Sequence, residues 1–157
     1  MSLEQELGRI LKEKGLTISV AESLTGGLVG DLITNVPGSS SYFEGAVTAY
    51  SNGSKVELLK VREETLRLHG AVSEECALEM AAGVREMFHT KVGISITGIA
   101  GPAGASFGKP VGLVIFGFDN GVIRITGKKT FEGGREEIKK ASAEHLITMA
   151  AEILTED

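Results

Sequence analysis

The β-branched run Thr17 to Val20 breaks at Ala21-Glu22-Ser23, and Gly26 to Ile33 then read as a helix that stops near Pro37-Gly38. A strand, a tight turn and a helix in that order commit the chain to layered α/β packing, because the helix has to bury its apolar stripe against a sheet. The remaining segments repeat the alternation. Leu3, Leu7, Ile10 and Leu11 recur at helical spacing, Lys12 and Lys14 suit a helix carboxy end, and Gly15 suits the residue after it. A second strand is predicted over Gly45 to Tyr50, running through Ser51-Asn52-Gly53 into helical Lys55 to Leu59, with another short helix at Glu63 to Leu68. Ser73 with Glu74 and Glu75 caps an amphipathic helix carrying Ala77, Met80, Ala81, Val84 and Phe88.

Val92 to Ile96 is an apolar run bounded by turn residues, as expected of a strand covered on both faces. TGIAGPAGASFGKPVG after it is too rich in glycine and proline for a central strand and is expected to be a surface loop. Val111 to Phe118 and Val122 to Thr130 flank Asp119-Asn120-Gly121, which predicts a hairpin closed by a type I′ turn. A last helix after Gly133-Gly134-Arg135 carries Ile138, Ala141, Leu146, Met149 and Ile153. Together these predict an α/β fold over residues 1–157, a single-domain three-layer α/β/α sandwich with a mixed sheet whose later strands are antiparallel.

The formal net charge of −5 argues against a general polyanion binder, so nucleic acid is not an expected partner. The amino terminus is polar and helical in pattern, with neither a secretory signal nor a membrane span, and a cytoplasmic protein is expected. Cys76 is the only cysteine and reads as a small core residue. His69, His89 and His145 show no metal-ligand spacing, and neither a metal nor a cofactor is expected.

Candidate chemistry sits in AESLTGG, Ala21 to Gly27, and TAYSNGSK, Thr48 to Lys55. A serine hydroxyl is a poor nucleophile until a neighbour takes its proton, and a lysine with a lowered pKa can do so without histidine or metal. Ser23 has two readings: an N-cap of the helix that follows, or a nucleophile on a Ser-Leu-Thr-Gly-Gly turn whose main-chain N–H groups face an anion. The segment is not the G-x-S-x-G elbow of α/β-hydrolases, since Ala21 and Thr25 occupy the outer positions. Lys55 reads as a solvated helix lysine or as the base, and Tyr50 as a rim residue or as a group that relays a proton or orients the lysine. Gly108-Lys109 imitates the end of a Walker A loop, but Pro110 stands where Ser or Thr must hold magnesium. A milder reading keeps Thr97, Gly98 and Lys109 as contacts to a phosphate or ribose. Arg135 reads as solvated or as an anion clamp, and Ser39, Ser40 and Ser41 as turn filler or hydroxyl donors.

AESLTGG, PGSSSYF, TAYSNGSK, HGAVSEE, SITGIAGPAG and GKPVG, in one order from Ala21 to Arg135, resemble the CinA carboxy-terminal domain family. Members include nicotinamide mononucleotide deamidases, which hydrolyse the carboxamide to nicotinic acid mononucleotide and ammonia. The resemblance implies Ser23 as nucleophile, Lys55 as general base and Tyr50 as their partner. It further implies substrate contacts at Thr25, Gly26, Ser40, Thr97, Gly98, Lys109 and Arg135. A stand-alone domain acting on a small nucleotide is expected, in a homodimer or higher homo-oligomer, with a role in pyridine nucleotide recycling. The alternative is a nucleotide-binding or interaction module of the same fold without turnover. A pyrophosphatase, an activity associated with longer CinA proteins, would need an acidic metal cluster that the sequence does not display.

Overall fold

The computed structural model describes residues 1–157. Three parallel strands, β1 (Ile18–Glu22), β2 (Phe43–Thr48) and β3 (Val92–Gly98), are extended by β4 (Leu113–Asp119) and β5 (Arg124–Thr130), which run antiparallel to their neighbours. The sheet order is β2-β1-β3-β4-β5. Helices α1 (Leu3–Lys14), α2 (Leu28–Thr34) and α6 (Arg135–Glu156) cover one face; α3 (Asn52–Leu59), α4 (Glu63–His69) and α5 (Glu74–Phe88) form the layer on the other. This is the expected three-layer sandwich with a mixed sheet.

The pleat divides the strands' side chains between two unlike interfaces. Ile18 and Val20 of β1, Ile94 and Ile96 of β3, and Val114, Phe116 and Phe118 of β4 join a core of 23 buried residues with α1, α2 and α6. The opposite face is lined by small and hydroxylated residues, and α5 comes close to it. Ser19 donates to the Val84 carbonyl at 3.1 Å and Ser95 to the Ala77 carbonyl at 2.6 Å, so those hydroxyls are buried with partners. A side chain at Gly93 would run into the Ala81 carbonyl. Cys76 lies here, fully buried with Met80, Val84, Leu59 and Val61, and burial pushes its thiol up to about 11.

Several boundaries differ from the sequence reading, two of them for clear local reasons. β2 begins two residues earlier than predicted and ends at Thr48, because Ser51 turns the chain into α3 by accepting the Ser54 N–H at 3.1 Å. Tyr50 therefore lies beyond the strand. The β4–β5 connection is a four-residue loop rather than a type I′ turn. Gly121 has φ 88°, whereas Asn120 keeps a negative φ and works through its side chain, accepting the N–H groups of Val122 and Ile123 at 2.9 and 2.7 Å. The glycine-rich segment between β3 and β4 is a loop, with residues 102–108 exposed.

Candidate active site

Ser23 sits where β1 ends beside parallel β3; the chain leaves β1 toward β2 and leaves β3 toward β4, and such divergence is where open α/β sheets form crevices. The turn after it has a complete hydrogen-bond account. The Ser23 N–H donates to the Ile96 carbonyl at 3.1 Å, Gly26 N–H to the Ser23 carbonyl at 3.2 Å, and Leu28 N–H to the Thr25 carbonyl at 3.1 Å. Gly26 and Gly27 have φ 61° and 112°, conformations that favour glycine. Gly27, not Ser23, is the N-cap of α2, so the capping reading of Ser23 is corrected.

The helix end expected to face an anion is already occupied. The Glu22 carboxylate, fully buried, accepts the N–H groups of Gly27, Val29 and Gly30 at 3.2, 2.9 and 2.9 Å and the Thr25 hydroxyl at 2.6 Å. An acid at a helix amino end is favourable, and this one consumes the donors.

Lys55, in the first turns of α3, points inward and is 1% exposed, against the solvated reading of a surface lysine. Its Nζ lies 2.9 Å from Ser23 Oγ, 2.8 Å from the Ala49 carbonyl and 3.0 Å from the Tyr50 carbonyl. Burial pushes the amine below the ordinary lysine range, with the Cys76 thiol opposing. Neutral Lys55 has two N–H bonds and one lone pair; with the N–H groups on the two carbonyls, the lone pair is left to the Ser23 hydroxyl.

Ser23 and Lys55 form the floor of a cleft of about 270 Å³, walled by Leu24, Val72, Thr97, Gly98 and Ile99 and rimmed by Tyr50 and Arg135. Its lining carries two basic side chains, Lys55 and Arg135, and no carboxylate. Arg135 donates to the Gly101 carbonyl at 2.7 Å and to the Tyr50 hydroxyl at 3.0 Å, tying the glycine-rich loop to the segment after β2. Thr97, 1% exposed, donates to the Ala71 carbonyl at 3.0 Å. A larger groove of about 470 Å³ along α3 and α5 holds Glu79, which accepts the Arg62 N–H at 2.8 Å at the start of α4, and contains no nucleophile.

The fold thus brings together Ser23, Lys55, Tyr50, Thr97, Gly98 and Arg135. Thr25 and Gly26 do not line the cleft, and the Thr25 hydroxyl is turned to Glu22. Ser40 precedes β2 while Ser23 follows β1; because the two strands are parallel, these serines stand at opposite ends of the sheet, about 20 Å apart at ~3.3 Å per residue. Lys109 donates to the His69 carbonyl on the far side of the loop. Sequence reasoning missed Glu22, Asn52 and the Ala71-Val72 wall; only the inclusion of Glu22 in AESLTGG and of Ala71-Val72 in HGAVSEE hinted at them.

Comparison with known proteins agrees with this architecture. A CinA-like protein of Chloroherpeton thalassium is 55% identical over 117 residues, covering 74% of this chain and 28% of its own length. The chain spans about a third of the length of the curated relatives it matches. A crystal structure of a CinA superfamily protein from Klebsiella pneumoniae superposes with TM-score 0.95 at 30% identity, covering 99% of this chain and 97% of that one. A competence/damage inducible protein from Agrobacterium tumefaciens superposes with TM-score 0.89 at 35% identity, covering 98% and 95%. The CinA C-terminal domain pattern matches residues 1–154, and the chain belongs to that family.

Proposed function

We infer that the chain is an amidohydrolase that converts nicotinamide mononucleotide to nicotinic acid mononucleotide and ammonia through Ser23 and Lys55. The observation that carries this reading is the 2.9 Å contact between Lys55 Nζ and Ser23 Oγ, with two carbonyls holding the amine's other positions. Lys55 takes the Ser23 proton as Oγ attacks the amide carbon, and a tetrahedral oxyanion forms. Collapse breaks the C–N bond; the proton on Lys55 passes to the leaving nitrogen, which departs as ammonia. Water, deprotonated by the same amine, then hydrolyses the Ser23 ester to release the carboxylate. Arg135 and the absence of acids in the lining suit an anionic substrate group such as a phosphate.

The test is formation of ammonia and nicotinic acid mononucleotide from nicotinamide mononucleotide, comparing the wild type with Ser23→Ala. Equal amounts of both products, lost in the variant, are expected. A folded wild type that binds the nucleotide and releases no ammonia would favour the non-catalytic binding module.

A further inference from the structure

We propose that Glu22 is a positioning residue for catalysis: by taking up the amino end of α2 it holds the Ser23–Gly26 turn so that the main-chain N–H of Leu24 serves as an oxyanion donor. The proposal rests on the amidohydrolase reading and assigns the part of the site that side chains do not supply.

Every main-chain N–H from Ser23 to Asp31 can be followed. Those of Ser23, Gly26, Leu28 and Asp31 donate to the carbonyls of Ile96, Ser23, Thr25 and Gly27. Those of Gly27, Val29 and Gly30 donate to Glu22. Leu24 and Thr25, the two central residues of the turn closed by the Gly26 N–H, donate to no group of the protein, although the residues are only 4% and 2% exposed. A buried N–H without an acceptor is costly in a resting site and useful where a negative oxygen appears during reaction. Leu24 follows Ser23 directly and lines the cleft, whereas Thr25 does not.

Glu22 makes this selection. Its four hydrogen bonds span residues 25–30 and anchor the turn to the start of α2. The carboxylate also neutralises the helix end, leaving the Leu24 N–H rather than a diffuse positive end to meet the oxyanion.

The test uses pyridine-3-boronic acid, whose boron forms a bond to Ser23 Oγ while Lys55 receives the serine proton, giving a tetrahedral anion. In Glu22→Gln an amide nitrogen meets one of the cradle's N–H donors. We expect kcat to fall about 10- to 100-fold with KM within twofold, and boronate affinity to fall about tenfold while product affinity holds. Thr25→Val removes only the hydroxyl bond to Glu22 and serves if Glu22→Gln does not fold; its boronate affinity should fall about threefold with product affinity unchanged. Unchanged kcat and boronate affinity in folded Glu22→Gln, or unchanged boronate affinity in Thr25→Val, would overturn the assignment. A wild type that takes the boronate but leaves nicotinamide mononucleotide intact would overturn the substrate reading alone. One that does neither would overturn both.

Discussion

Lys55 Nζ approaches Ser23 Oγ at 2.9 Å from a site closed on its other sides by the Ala49 and Tyr50 carbonyls. Two fixed acceptors leave a neutral amine one direction in which to accept a proton. Its lowered pKa gives the expected pH dependence a sign: activity is lost when Lys55 is protonated, so kcat/KM rises with pH to a plateau, with its midpoint below the ordinary lysine value. Lys55→Arg keeps the positive charge but cannot lose its proton in this range. It should lower kcat by at least about 10³-fold, as Ser23→Ala should. Rates within tenfold of wild type in Lys55→Arg would show that charge, not proton transfer, is what the position supplies.

Tyr50 contacts Lys55 through its carbonyl, while its side chain is 61% exposed and its hydroxyl accepts from Arg135. Tyr50→Phe keeps the first contact and loses the second. The variant should hold kcat within about threefold and raise KM by a similar factor, since a solvent-exposed contact, even from a charged guanidinium, contributes about 1 kcal/mol or less. A hundredfold fall in kcat would instead make the hydroxyl a proton carrier. Arg135→Met, which also frees the Gly101 carbonyl, should raise KM more than Tyr50→Phe does.

The features legible in the sequence are those set by short-range periodicity. Val92 to Ile96 reads as a buried strand because both faces of β3 are covered, and Gly15 marks the end of α1 because it stands at φ 66°. Lys55 could not be placed inward from its own segment: α3 is two turns long and mixed in polarity, and the amine is buried by tertiary packing that brings it to Ser23, Ala49 and Tyr50. The family resemblance implies a substrate contact at Ser40, but parallel pairing of β1 and β2 sends it to the other end of the sheet from Ser23. The role of Glu22 depended on where α2 begins, which Gly26 and Gly27 delay until Leu28.

Gly83 should resist the substitution that ordinarily stabilises a helix. Alanine gains about 1 kcal/mol over glycine in an exposed helix interior. Here a Cβ would overlap the Leu59 carbonyl, where the helix that carries Lys55 ends against α5. Backbone cannot swing away as a side-chain tip can, so Gly83→Ala is expected to cost about 2–3 kcal/mol, as overpacking does. The urea midpoint should fall, and activity at temperatures below the transition should fall with it as α3 shifts. A midpoint equal to or above wild type would mean that α3 and α5 separate freely.

His145 provides a pH test of the packed face. Its ring lies between Phe116 and Phe131, with centroids 4.7 and 5.9 Å away. Burial first, and the charge of Lys129 second, push its pKa down, with Glu152 opposing. Between the lowered folded value and 6.5 the unfolded chain binds more protons than the folded one, so stability rises with pH across that window and levels off above it. Protonation at low pH therefore favours unfolding. His145→Gln removes the titrating group, and the difference between its urea midpoints at pH 8 and pH 5 should be smaller than in the wild type. An unchanged difference would assign the acid sensitivity to other groups.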